Sequence, residues 1–195
     1  MTEIAIIAGS TRPGRRSRAV AEWVAAQAAR RHPSSGFGVV DLADFVLPVL
    51  DEADPAIFGR YSKEHTTRWA ETIARYDGFV FVTPEYNHSI PGALKNALDF
   101  AYAEWNDKAA GFVSYGLHGG TRAVEHLRLI LAELQVATVR AQVVLSLHDD
   151  FASPASAEQG TFTPGTRHEA SLGTLLDQVV AWSLALRAVR EGALA

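Results

Sequence analysis

Residues 79–100 read FVFVTPEYNHSIPGALKNALDF, and this stretch decides the fold. Residues 79–83 form an apolar run closed by one threonine, the pattern of a strand buried on both faces. Glu85, Tyr86, Asn87, His88 and Ser89 follow, placing a carboxylate, an aromatic ring, an amide, an imidazole and a hydroxyl side by side. Pro91 then opens a helix, because its missing N–H and fixed φ suit a first turn. A buried strand that runs through a polar loop into a helix is half of a parallel βα unit.

The same grammar repeats on either side. Residues 4–8 are a second buried run, followed by a Gly/Ser/Arg loop at 9–17. Val20, Trp23, Val24 and Ala28 then recur at helical spacing up to Arg30-Arg31-His32-Pro33. Residues 37–42 read as a strand, 43–61 as irregular chain with Pro48, Pro55 and Gly59, and 66–76 as a helix stopped by Asp77-Gly78. The Pro91 helix is expected to reach about Trp105. Residues 111–115 are a strand, and the next helix carries Ala123, Leu127, Ile130, Leu131 and Leu134 on one face. Residues 143–147 are the fifth strand, and the last helix aligns Leu172, Leu175, Leu176, Val179 and Val180. Strands alternating with helices predict an α/β protein: a flavodoxin-like three-layer sandwich around a five-stranded parallel sheet of order 2-1-3-4-5. Residues 1–195 are read as one domain, with no linker or repeat. The polar stretch 148–167 is too long for a simple connection and is expected to be a lid or an oligomer contact.

Composition narrows the function. A chain of 195 residues, 48% hydrophobic, supports one substantial core and argues against disorder. A net charge of -4 speaks against a nucleic-acid binder that neutralises phosphates. The absence of cysteine excludes disulfides, thiolate catalysis and thiolate metal sites. His118 with His126, His148 with Asp149-Asp150, and His168-Glu169 lack a familiar metal-ligand spacing. No signal peptide is apparent, and no apolar run approaches the roughly 20 residues that span a bilayer. A cytoplasmic protein without membrane partners is the expectation.

In an open parallel sheet of this order, ligands sit outside the carboxyl ends of strands one and three, where strand order reverses. The loops at those ends are 9–17 and 84–91. The first, GSTRPGRRS, brings hydroxyls, guanidinium groups and backbone N–H groups to a helix start, which suits a phosphate. It is nearly a Walker A loop, but Arg15 stands where Lys is needed and Arg16 where the Mg²⁺-binding hydroxyl is needed. It is not G-x-G-x-x-G either. A single phosphomonoester fits better; the plain alternative is an ordinary turn with a solvated basic face. The second loop suits a planar heterocycle, with backbone groups on its polar edge and Tyr86 near its face. Helix initiation alone explains Ser89 and Pro91 but not Tyr86, Asn87 and His88 together. The third loop, SYGLHGG at 114–120, leaves the fourth strand on the same edge, and its glycines allow backbone to approach a ligand or simply make a flexible turn.

These three loops, in this order, resemble those of the NADPH-dependent FMN reductase family, flavodoxin-fold enzymes that include quinone and azo-dye reductases. PEYNHSIPGALKNALDF is the most specific part, then GSTRPGRRS, then SYGLHGG. The resemblance implies that Ser10, Arg12, Arg16 and Ser17 bind the FMN phosphate. Pro84, Glu85, Tyr86 and Asn87 would flank the isoalloxazine ring, mostly through backbone groups and the Tyr86 side chain. Ser114, Tyr115 and Gly116 would close the other side, with Gly119 and Gly120 as further candidates. His88 departs from the family, which often has glycine there; the bulkier ring would narrow the site or shift acceptor preference. Nothing is carried over to residues 149–167.

The implied chemistry is hydride transfer from NADPH or NADH to flavin N5, then to a small acceptor such as a quinone, an azo compound or free flavin. No side-chain acid is obligatory, so no catalytic residue is named. His88 and His118 are candidate proton donors to a quinone, or simply polar loop residues. The Pro91 helix is apolar over a wide arc, so it is either deeply buried or shared with a partner. In the resembled family it commonly joins a dimer contact, which implies a homodimer or a tetramer. A flavodoxin-type electron carrier, or a flavin-binding protein without turnover, is the rival reading. The arginine-bearing phosphate loop and small net charge weigh against the carrier.

Overall fold

Five strands pair in one parallel sheet: β1 Glu3–Ala8, β2 Gly36–Asp41, β3 Gly78–Pro84, β4 Lys108–Gly116 and β5 Val136–Ser146, in the order β2-β1-β3-β4-β5. This is the predicted order. The computed structural model describes residues 1–152 and 162–193. Side chains alternate through the sheet. Ile4, Ile6, Ala8, Val80 and Val82 pack on one face with α1, Ser17–Arg31, and α5, Thr166–Arg190. Ala5, Ile7, Phe79 and Phe81 pack on the other with α2, Glu64–Ala74, α3, Gly92–Asp99, and α4, Thr121–Glu133. All nine of these strand residues are fully buried, which is why both inner strands read as unbroken apolar runs.

The second face is aromatic. Phe79 and Trp105 meet edge to face with centroids 4.9 Å apart, and Trp69 donates its indole N–H to the Ala97 carbonyl at 2.7 Å. Burying each such ring contributes about 2–3 kcal/mol, and the satisfied indole avoids a desolvation cost.

Three elements differ from the sequence expectation. The strand expected at 111–115 begins at Lys108, a residue type that argues for solvent; here it is 4% exposed. Its ammonium donates to the Ile73 carbonyl at 3.0 Å, in the last turn of α2, and lies 5.5 Å from the centroid of Phe79. The strand expected at 143–147 begins at Val136, because β5 is an edge strand whose polar Arg140 and Gln142 interrupt the apolar run. The helix expected to reach Trp105 stops at Asp99, and the Glu104 carboxylate takes the Tyr102 N–H at 3.2 Å, outside any helical ladder. Phe100, Ala101 and Trp105 are nevertheless buried. The apolar arc of the Pro91 helix is thus spent inside the chain.

Helix α5 is, by length and composition, apolar enough to cross a bilayer, which the sequence reading did not foresee. Its stripe of Leu172, Leu175, Leu176 and Val179 is instead packed against the sheet, as in any long core helix. At its far end Arg187 and Arg190 converge on Asp77, with Arg190 at 2.7 Å. Asp77 also accepts the Glu3 N–H at 2.9 Å, so one carboxylate joins α5 to the amino-terminal edge of the sheet. Of the stretch 148–167, residues 153–161 lie outside the described residues, so its reading as a lid or oligomer contact is not taken up from them.

The loop after β3 makes a two-residue turn. Tyr86 and Ser89 exchange backbone hydrogen bonds at 2.9 and 3.1 Å around Asn87 and His88, which have φ of 47° and 74°. Two successive left-handed residues define a type I′ turn, whose preferred sequence is Asn-Gly. A histidine at the second position carries the left-handed penalty of about 1–2 kcal/mol, part of which glycine would lose again through unfolded-state entropy. His88→Gly is therefore expected to stabilise the chain by about 0.5–1 kcal/mol in urea unfolding. A lower midpoint would mean that the His88 ring, 5.9 Å from His126, contributes more than the turn costs.

Burial, with Arg190 nearby, lowers the Lys108 pKa from 10.5 to about 8, against the opposing pull of Asp77 and Glu104. Between those two pH values the unfolded chain holds the proton and the folded chain does not, so this residue makes folding more favourable as pH rises. Relative to Lys108→Met, the native chain should gain up to about 3 kcal/mol from pH 8 to 10.5. Parallel denaturation curves for the two chains across that window would contradict it.

Candidate functional site

The carboxyl ends of β1, β3 and β4 release three loops onto one edge of the sheet. Together they line an open cleft walled by Arg12, Arg15, Arg16, Pro84, Glu85, Tyr86, Tyr115 and Gly116, with Leu147 from the end of β5. The position follows from the strand order, since β1 and β3 are the neighbours between which the connections diverge.

The loop after β1 is fixed from beneath. Ser10 and Ser17 are fully buried; the Ser10 hydroxyl pairs with Tyr86 Oη at 2.9 Å, and the Ser17 hydroxyl donates weakly to the Ser10 carbonyl at 3.4 Å. These serines sit behind the cleft wall. Helix α1 starts with Arg16 at its cap position; the Arg16 side chain does not cap the first-turn N–H groups, which carry the positive end of the helix dipole. Carboxylates hold some of the arginines of this region. Arg15 is held at 2.7 Å by Asp41, whose side chain is fully buried, and Arg18 by Glu22 at 2.7 Å. Arg12 lies 6.0 Å from the Tyr86 centroid, and Arg16 lies 4.8 Å over the ring of Phe151.

The Tyr115 hydroxyl is buried and makes no well-formed hydrogen bond among the described residues. Burial, with Tyr86 next to it, raises its pKa above the usual tyrosine range, while Ser17 and Arg16 beside it pull the other way. It remains a neutral donor at any physiological pH, and a buried donor without an acceptor calls for one.

The loop after β3 is clamped from α4. Glu85 donates its backbone N–H to the Tyr115 carbonyl at 3.0 Å, and its carboxylate makes a short ion pair with Arg122. Burial opposes ionisation of Glu85, but the Arg122 guanidinium and the first-turn N–H groups of α4 hold its pKa below the usual range. One helical turn on, His126 Nδ1 meets the Ser89 hydroxyl at 2.9 Å. Sequence reasoning missed Arg122 and His126; their i, i+4 spacing on one helix face was the available signal. Asn87 and His88 are exposed at the turn, and their N–H groups have no partner among the described residues. Neither side chain lines the cleft.

The loop after β4 is built around its serine. The buried Ser114 hydroxyl donates to the Gly119 carbonyl at 2.7 Å and accepts from Gln142 at 3.1 Å, so it holds the loop rather than facing the cleft. Gly119 and Gly120 have φ of 71° and 74°. A Cβ on the first would overlap Val144, and on the second would crowd Ser114 and Tyr115. These glycines serve the turn and its packing on β4 and β5. His118 borders a different hollow, with Gln142, Arg167 and His168.

Comparison with known proteins points one way. A family model described as NADPH-dependent FMN reductase matches residues 2–150. An NAD(P)H-dependent FMN reductase of Schizosaccharomyces pombe is 38% identical over 175 residues, covering 89% of this chain and 84% of that one. A 2-hydroxy-1,4-benzoquinone reductase of a Burkholderia species is 31% identical over 188 residues, covering 92% and 95%. Among solved structures, the flavoenzyme NAD(P)H:(acceptor) oxidoreductase FerB of Paracoccus denitrificans has a TM-score of 0.72 over 95% of this chain and 98% of that chain. At 20% identity that likeness shows the shared fold. Because the family match runs unbroken from β1 through the end of β5, the chain belongs to the NADPH-dependent FMN reductase family.

Proposed function

We propose that this chain is an NAD(P)H-dependent FMN oxidoreductase whose electron acceptor is a small molecule, with quinones the favoured class and azo compounds and free flavin close behind. The observation that supports the cofactor site is the buried Tyr115 hydroxyl, which makes no well-formed hydrogen bond among the described residues and lies beside Ser17 and Arg16 at the start of α1. A phosphate there would supply an acceptor and meet the helix start.

On this reading Ser10, Arg12, Arg16 and Ser17 hold the phosphate. Arg12 and Arg16 supply the charge, and the two buried serines shape the loop, since the Ser10 hydroxyl is already engaged with Tyr86. Pro84, Glu85, Tyr86 and Asn87 flank the ring system. The unpaired N–H groups of Asn87 and His88 are the donors available to its polar edge. Arg122 balances the charge of Glu85, so the loop brings no net negative charge toward a ring that becomes anionic when reduced. Ser114, Tyr115 and Gly116 form the remaining side, Ser114 by holding the loop. Bound FMN supplies the hydride-accepting and hydride-donating centre, and the chain supplies binding and orientation. Quinones lead because the Burkholderia relative, aligned over nearly the whole chain, is named for one.

The assembly we propose is a homodimer, with a tetramer as its extension. The apolar arc of α3 is consumed internally, so support comes from the segment before α2. Val46, Val49, Leu50, Ile57 and Phe58 are all exposed. The first part of that segment is fastened to α3 by Asn96, which donates to the Pro48 carbonyl at 2.7 Å and accepts from the Leu50 N–H at 2.9 Å. Grouped apolar residues held on ordered chain suit burial against a second copy. A single FMN-binding domain over residues 1–195, working in the cytoplasm, completes the proposal.

Anaerobic stopped-flow mixing of the FMN-loaded protein with NADPH should bleach the flavin in one two-electron phase. Tight FMN binding without reduction by NADPH or NADH would instead favour an electron carrier. Tyr115→Phe should weaken FMN binding about tenfold, the effect of losing a hydrogen bond to a charged group. Light scattering should give a dimer mass, with Phe58→Glu shifting it toward a monomer; a native monomer at working concentration would end the dimer proposal.

A further inference from the structure

We propose that Phe151 is a positioning residue for Arg16, its ring holding the guanidinium in place for the flavin phosphate; this rests on the phosphate site described above. Phe151 is 2% exposed, and Arg16 lies 4.8 Å over its ring. Arg16 borders both the main cleft and a second hollow, and Phe151 borders only the second. The ring therefore supports the guanidinium from behind while the main cleft stays open. An arginine that is already ordered loses less rotamer entropy on binding an anion, and a partly desolvated cation–π contact provides that order.

The ring is itself unusually well fixed. Phe151 forms an isolated antiparallel bridge with Phe162, and its ring lies 5.1 Å from Phe162 and 5.8 Å from Tyr115. The preceding residue, Asp150, is buried. It accepts the Ser146 N–H at 2.8 Å, pairs with the buried His168 at 2.8 Å, and takes the Thr163 N–H on its carbonyl at 3.0 Å. These bonds pin the base of the β5–α5 connection to the end of β5 and the first turn of α5. A buried, satisfied polar network of this kind specifies one placement. What it places is a ring in contact with both Tyr115 and Arg16. Phe151 falls one residue past the family match, so the family match assigns it nothing.

The test compares FMN with riboflavin, which lacks the phosphate, by quenching of flavin fluorescence on titration with apoprotein. The native chain should bind FMN more tightly than riboflavin. Phe151→Leu should weaken FMN about tenfold and leave riboflavin unchanged, while Phe151→Tyr, which keeps a ring face, should restore FMN binding. Phe151→Met, closer in volume but without a ring face, carries the test if the leucine variant does not fold. In an Arg16→Gln background the Phe151 substitution should have no further effect on FMN. Equal losses for both flavins, no loss, or additive losses with Arg16→Gln would reduce Phe151 to a core residue and overturn the proposal. A native chain that does not distinguish FMN from riboflavin would overturn the phosphate site itself, a separate and recognisable failure.

Discussion

A parallel sheet covered by helices on both faces has no room for polar side chains along most of its strands. Ile4, Ile6, Phe79 and Val80 are fully buried, and each points into a helix layer. Polar chemistry is thereby confined to the strand ends. At the carboxyl ends, the order β2-β1-β3-β4-β5 makes the connections from β1 and β3 depart to opposite faces, which opens a crevice between them. Ser10, Tyr86 and Tyr115 come together because the strands beneath them lie in register, with Ala8 beside Val82 and Pro84 beside Tyr115.

Within the crevice the three loops are tied to one another more than to solvent. Ser10 bonds Tyr86, Glu85 bonds Tyr115 and Arg122, and Ser114 bonds Gly119 and Gln142. Binding sites are effective when their ordering cost is met during folding rather than on ligand arrival. The same ties identify what is left over. Among the described residues the Tyr115 hydroxyl and the Asn87 and His88 N–H groups make no well-formed hydrogen bond, and on the proposed reading they are places for ligand atoms.

The sheet order and the location of the cleft were legible in the sequence because strands buried on both faces announce themselves as apolar runs. β5 was not fully legible: it is an edge strand, and Arg140 and Gln142 break its run without breaking its pairing with β4. Lys108 concealed the start of β4, since a buried ammonium depends on carbonyls of α2 that lie 34 and 35 residues away in the chain. In the candidate site, sequence could name Arg12, Arg15 and Arg16 but could not tell that Asp41, contributed by the end of β2, claims Arg15. The contacts of Arg122, His126 and Phe151 were hidden for the same reason. Each acts on a loop far from it in sequence, and only the packing of α4 on the sheet, or the return of the chain after β5, brings it there.

The two ends of the sheet divide the electrostatic labour. At the amino-terminal edge, Asp77 gathers Arg187, Arg190 and the Glu3 N–H, and Lys108 sits on the last carbonyls of α2. These charges answer one another in a partly buried cluster, with Asp77 at its centre. At the carboxyl-terminal edge Asp41 and Glu85 neutralise Arg15 and Arg122, and on the proposed reading the start of α1 and the Tyr115 hydroxyl meet the flavin phosphate. A fold that completed both ends would be more stable without ligand and would have nothing with which to hold one. The asymmetry is the physical sense in which this sheet has a structural end and, on the proposed reading, a binding end.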